Sequence, residues 1–260
     1  MAAKKIVQSL SASAFGRYWN ESARPLVSLV FVAPMILVYE GGLFVLGPQA
    51  LRNGADVWMR RLLESLGFGQ YLLLPVLTCG ILLGWHHLNR ERWRIRWPVL
   101  YGMALESIAF GALLLLLARV QSSLLSSAAL TAPKSLAISA STSVEQAIAF
   151  LGAGIYEELL FRLMLFPAIA MLLKAAGMPR RTSWLTAILL SSLLFAAAHY
   201  RLDLMLGNFH LVTSFGDTFA WTSFAFRFVA GVLFATLFLA RGFGVAVGAH
   251  AMYDLLVWIS

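Results

Sequence analysis

Long apolar runs separated by short basic connections make up most of this 260-residue chain. A membrane-crossing helix needs about 20 mostly apolar residues, and seven stretches fit that description: 26–47, 70–88, 98–118, 144–173, 183–200, 220–240 and 242–259. Residues 50–69 differ. There Asp56, Arg60, Arg61 and Glu64 are interleaved with Trp58, Met59, Leu62 and Leu63, a pattern that predicts an amphipathic helix lying at a membrane interface. Residues 119–143, rich in Ser, Ala and Thr, read as a loop. Residues 201–219, with Asp203, Asn208, His210 and Asp217, read as a loop or a partly re-entrant segment. The pattern therefore predicts an all-α fold: a polytopic transmembrane helix bundle of about seven spans plus a short interfacial helix. It divides into residues 1–143, with an interfacial segment and the first three membrane helices, and residues 144–260, a helical core. No internal repeat or separate soluble domain is visible, and Gly152, Gly154, Gly231, Gly244 and Gly248 suit close helix contacts.

Composition agrees with this reading. The chain is 60% hydrophobic and 12% charged, with a mean hydropathy of +0.79, whereas a soluble domain is about 25% charged. The net charge of +8 comes from short basic loops and does not indicate nucleic-acid binding. The basic regions are the N-terminus (Lys4, Lys5, Arg17, Arg24), the loop 89–97 (Arg90, Arg92, Arg94, Arg96 against Glu91), the turn 174–182 (Lys174, Arg180, Arg181) and Arg241. With seven spans all four fall on one side, the cytoplasmic one by the positive-inside rule, and the C-terminus falls outside. Residues 1–24 lack the apolar core of a cleaved signal peptide and predict a short interfacial helix. The basic loops and the short N-terminal segment point to a bacterial inner membrane. The single Cys79 excludes an internal disulfide and a multi-cysteine metal site.

Three polar motifs interrupt the later apolar stretches. The first is Glu157-Glu158-Leu-Leu-Phe-Arg162. A charged residue at mid-bilayer costs about 3 kcal/mol on insertion scales, so three unpaired ones would cost roughly 9 kcal/mol. Glu158 and Arg162 are four apart, with the acid on the N-terminal side, which is the better order for a helical ion pair. Glu157 points about 100° away, and Phe161 occupies its i+4 position. Glu158 is thus the structural carboxylate, and Glu157 is the free one, suited to act as a general base. The second motif places Phe195 and His199 on one helix face. The third does the same for His250 and Asp254, where a carboxylate one turn from an imidazole can fix its tautomer or hold a ligand. At 1.5 Å per residue, Glu157 and His199 lie about 24 Å from the inner ends of their spans, with Asp254 and His250 about 18 and 12 Å in. These depths allow one shared pocket, from mid-membrane outward.

The three motifs resemble those of the CPBP family of intramembrane proteases, which includes CAAX prenyl endopeptidases and bacteriocin-processing relatives. That family carries Glu-Glu-x-x-x-Arg, Phe-x-x-x-His and His-x-x-x-Asn/Asp in this order on successive membrane helices. The match covers residues 144–259. The resemblance implies hydrolysis of a peptide bond in a membrane-associated peptide or protein. Glu157 and His199 would activate water, His250 and residue 254 would stabilise the oxyanion, and Glu158, Arg162 and Phe195 would support the site. An Asn at 254 would donate to an oxyanion, whereas an ionised Asp repels one, so Asp254 is protonated, orients His250 or binds a metal. Either no cofactor or a Zn2+ ion held by Glu157, His199, His250 and Asp254 fits the set, although no His-Glu-x-x-His motif is present.

Other readings remain open on the sequence. One is a non-catalytic membrane scaffold or immunity-type binding protein with a polar core. Another is a transporter using Glu157, His199 and Asp254 as a proton relay, though no paired repeats are visible. Glu40 and Glu106 also fall in apolar stretches, either lining the same cavity or pairing with Arg or His. His86 and His87 read as interfacial anchors beside Trp85, and His210 as a loop histidine. The expected partners are the lipid bilayer and a peptide or protein substrate, with no nucleic acid. The sequence leaves the oligomeric state open.

Overall fold

The computed structural model describes residues 14–47, 50–69, 72–126, 143–201, 203–206, 209–212 and 216–260. Its helices are α1 (Ala14–Ser22), α2 (Pro25–Leu46), α3 (Gly54–Ser65), α4 (Leu73–Leu88), α5 (Trp97–Ser126) and α6 (Ser143–Glu158). A π-helical turn (Leu159–Leu165) follows, then α7 (Phe166–Ala175), α8 (Arg180–Ala197), α9 (Trp221–Arg241) and α10 (Phe243–Ile259). Between α8 and α9 a small antiparallel ribbon pairs β1 (Asp203–Leu206) with β2 (Phe209–Val212), setting Met205 opposite His210. This ribbon occupies part of the segment read from sequence as a loop or a partly re-entrant segment.

Each of the seven apolar stretches contains helix. Among the described residues, Pro25–Leu46, Trp97–Leu124 and Trp221–Arg241 are long and apolar enough to cross a membrane, while Leu73–Leu88 and Phe243–Ile259 are apolar but shorter. Large side chains such as Leu37, Phe44, Val45, Leu105 and Leu172 project outward, as they would toward lipid. Two boundaries differ from the sequence reading. Helix α5 continues to Ser126, because Leu124 and its apolar neighbours extend the helical pattern past residue 118. The rest of the expected Ser-rich loop, 127–142, lies outside the described residues, as does the N-terminal segment before Ala14. The stretch 144–173 is not one regular helix: the π turn widens it just after the two glutamates. Pro167 offers a cause, since its ring crowds the carbonyl four residues earlier and it cannot donate to the ladder.

Helix α10 is the centre of the bundle. Phe243 to Ala251 are all buried, and the helix packs against α2, α5, α6 and α9. Small residues permit this approach. A Cβ on Gly154 would lie 2.9 Å from both the Ala251 amide nitrogen and the Val247 carbonyl oxygen, and one on Gly248 would overlap Ser107. Gly152, Gly244 and Gly231 also face neighbouring helices, with the nearest atom 2.1, 2.6 and 3.0 Å from where a Cβ would sit, so all five glycines that suit close contacts by sequence lie at helix contacts.

Three of the basic regions, Arg24 of the N-terminal segment, loop 89–97 and Arg241, lie at one end of the bundle. Arg24 pairs with Glu91 at 2.7 Å and also donates to the Arg92 and Arg94 carbonyls. Arg96 pairs with Glu21 at 3.1 Å. Arg241, at the end of α9, is buried against Glu106 at 2.6 Å, donates to the Trp19 carbonyl and Ser22 of α1, and lies 3.8 Å over the Trp19 ring. Tyr18 also donates to Glu106, and burial together with that hydrogen bond pushes its hydroxyl up to about 12. Glu106 is therefore a pairing residue. His86 is fully buried, edge-on to Trp93 at 4.6 Å and 3.8 Å from Glu91. That corrects the reading of it as an interfacial anchor: loop 89–97 folds back over it.

Candidate active site

The end of α6, the π turn, α8, α9 and α10 bring their polar side chains together. Glu157 and Glu158 are the last two residues of α6, and they diverge as adjacent helical positions must. Glu158 is fully buried. Its Oε1 lies 3.2 Å from Arg162 Nη1 and accepts from His250 Nδ1 at 2.8 Å. Arg162 is 1% exposed. It donates to the Gly231 carbonyl of α9 at 3.2 Å and lies 4.2 Å over the Phe195 ring. One buried cation thus holds the carboxylate, α9 and the aromatic face of α8 together.

Glu157 faces the other way. Its Oε2 lies 3.6 Å from His199 Nε2 and 3.7 Å from His250 Nε2, and it has no hydrogen-bond partner among the described residues. These separations exceed a direct hydrogen bond. Each imidazole is oriented from behind. His199 Nδ1 contacts the Phe195 carbonyl at 2.7 Å, which leaves Nε2 as the lone-pair nitrogen toward Glu157 in the neutral ring. His250 Nδ1 faces Glu158, so its Nε2 points toward Glu157 and toward Asp254 Oδ2 at 3.7 Å. The rings are fixed by packing: His250 stacks on Phe234 at 4.5 Å, and Phe195 meets His199 edge-on at 4.8 Å. Side-chain exposure is 26% for His199 and 20% for Asp254, against 11% for Glu157 and 6% for His250. His199 and Asp254 are therefore the members of the group most open to the outside.

Glu157, His199, His250 and Asp254 thus surround one place, with Glu158, Arg162 and Phe195 behind them. Among the described residues no group of three or more His, Cys, Asp or Glu side chains is arranged to hold a metal ion. Glu40 lies elsewhere: it accepts from Tyr156 and pairs with Arg60 at 3.1 Å.

One contact was missed by the sequence reading. Asn53, just before α3, donates from Nδ2 to Glu157 Oε1 at 2.8 Å. It lies about a hundred residues upstream in a polar stretch. The available signal was local: an Asn ahead of an amphipathic run is a helix N-cap. A second brace was also unread. The Asp217 amide donates to the His199 carbonyl at 2.8 Å, Arg227 pairs with Asp217 at 2.5 Å, and Gly216, at φ +116°, lies against the backbone of His199, Tyr200 and Arg201.

A helical membrane bundle with a carboxylate and two imidazoles sunk among its helices defines the class. Within it, residues 139–256 match the model of the family described as Type II CAAX prenyl endopeptidase Rce1-like. The matched region contains all three motifs, so the likeness to the CPBP intramembrane proteases holds over the C-terminal part of the chain. No curated protein and no solved structure matches the chain.

Proposed function

We propose that this protein is an intramembrane endopeptidase of the CAAX type that hydrolyses a peptide bond in a membrane-associated peptide or protein. The observation that carries this reading is the placement of Glu157 Oε2 at 3.6 and 3.7 Å from two imidazole nitrogens. One water oxygen set to the side of such a gap comes within hydrogen-bonding distance of both groups. The neutral His199 accepts one water proton at Nε2 and Glu157 accepts the other, which turns the oxygen lone pair toward a substrate carbonyl. Glu157 takes the proton as the C–O bond forms and delivers it to the leaving amine as the C–N bond breaks. His250, held from behind by Glu158, donates from Nε2 in its doubly protonated form to the oxyanion. Asp254 keeps the ring of His250 turned that way, which gives the Asp a role that does not require contact with the oxyanion. No step runs through a metal.

The membrane placement is part of the proposal. The basic end of the bundle faces the cytoplasm by the positive-inside rule, in a bacterial inner membrane. Helix α2 runs away from that end after Arg24, and so does α8, whose Trp184 meets Phe166, which in turn meets Phe238 near Arg241; Asn53 follows α2 and His199 follows α8. The site then opens toward the opposite face, and its substrates arrive there.

The test is a digest of a mixed peptide library and of a prenylated CAAX peptide by the purified protein in detergent, with and without chelator, read by mass spectrometry. Cleavage at a defined bond that survives chelation supports the reading. Loss of cleavage on chelation overturns the metal-free mechanism, and no cleavage of either substrate overturns the protease.

A further inference from the structure

Asn53 and Glu157 are joined across the bundle by a side chain whose two ends are both engaged. Asn53 Oδ1 caps α3 by accepting from the Ala55 amide at 2.8 Å, while Nδ2 donates to Glu157 Oε1 at 2.8 Å. Nδ2 therefore cannot swing toward solvent without breaking the cap geometry. Helix α3 is itself fastened to the bundle. Asp56 is fully buried and accepts from Tyr39 at 2.9 Å, Arg52 at 3.2 Å and Arg60 Nε at 2.5 Å. Arg60 continues to Glu40, and Glu40 accepts from Tyr156, the residue immediately before Glu157. Two successive residues of α6 thus hold on to the α3 region, one through the Glu40–Arg60–Asp56 chain and one directly. Asn53 also lies outside residues 139–256, which carry the family match.

We propose that Asn53 is a positioning residue of the hydrolytic site: by holding Oε1 of Glu157 it directs Oε2 at His199 and His250, so the N-terminal part of the chain completes the site. A carboxylate is free to rotate about its last torsion, and among the described groups Asn53 is the hydrogen-bond donor on Glu157. Small misplacement of a base is costly to the chemical step even where binding is unaffected. This inference rests on the proteolytic reading.

Asn53→Ser and Asn53→Asp test it, because Ser and Asp are as good as Asn at an N-cap and keep α3 in place. Ser is too short to reach Glu157, and Asp offers an acceptor instead of a donor. On whichever probe the wild type cleaves, prenylated CAAX peptide or library peptide, kcat falls about tenfold to a hundredfold at unchanged KM, and the melting temperature falls only by what the one lost hydrogen bond contributes. Wild-type kcat in both variants overturns the inference, and so does a rise in KM at constant kcat. A second measurement does not need turnover: a thermal-unfolding cycle of Asn53→Ser, Glu157→Ala and the double variant. Non-additive melting shifts support the bond, and additive shifts overturn it. If the wild type cleaves neither probe, the proteolytic reading falls, and the cycle alone decides whether Asn53 orients Glu157.

Discussion

Glu158 Oε1 accepts from His250 Nδ1 at 2.8 Å while lying 3.2 Å from Arg162 Nη1. A buried ion pair and a ring of the candidate site thus share one carboxylate oxygen. The two neighbouring glutamates therefore differ in what their loss should do. Glu158→Ala strands the buried Arg162 and releases His250. Removing one partner of a buried pair costs about 3–5 kcal/mol, so the variant should melt well below wild type in detergent and be inactive.

Arg162→Lys separates charge from shape. A lysine keeps the pair with Glu158 but cannot lie flat over Phe195, where the guanidinium carbon sits at 4.2 Å, and cannot fork toward the Gly231 carbonyl. A loss of about 1–2 kcal/mol is expected, measurable as a lower melting temperature. A variant as stable as wild type would mean that charge alone matters there.

Gly216→Ala tests the brace behind His199. At φ +116° a side chain is strained, and its Cβ would lie 2.7–2.9 Å from the His199 carbonyl and the backbone of the next two residues. The turn must shift, releasing the Asp217 amide from His199. A fall in kcat of about a hundredfold is expected, with a smaller change in KM.

Glu106→Gln acts at the other end of the bundle. It leaves Arg241, 1% exposed, without its carboxylate, and should cost about 3 kcal/mol. The folded fraction should retain wild-type kcat, since none of the site residues touches this pair.

Membrane placement is tested by labelling with an impermeant maleimide in a Cys79→Ala background. Both Glu64, on α3, and Arg94, in the basic loop, are exposed. In intact spheroplasts Glu64→Cys should be labelled and Arg94→Cys only after permeabilisation. The reverse pattern would invert the orientation.

The sequence made much of this legible because burial in hydrocarbon makes every charge conspicuous. Glu158 and Arg162 could be paired from a four-residue spacing, and Glu157 was marked as different because Phe161 stood where a partner would be. The five contact glycines followed from the same reasoning about close helices. What stayed hidden depended on tertiary approach. The Asn53–Glu157 bond joins residues 104 positions apart, and no helical period reports on such a pair. The Asp217–His199 hydrogen bond depends on a turn conformation in a mixed segment. The π turn after Glu158 could have been suspected only from Pro167, and His86 looked interfacial because the loop that covers it lies downstream.

The central claim is that Glu157 is the base. Its most direct test is the cleavage rate of Glu157→Gln relative to wild type on the same peptide, at matched folded fraction by thermal unfolding. Gln keeps an oxygen for Asn53 but cannot take the water proton. A rate lower by about a hundredfold or more, with an unchanged melting temperature, is the predicted result; a Glu157→Gln protein that cleaves at the wild-type rate would contradict it.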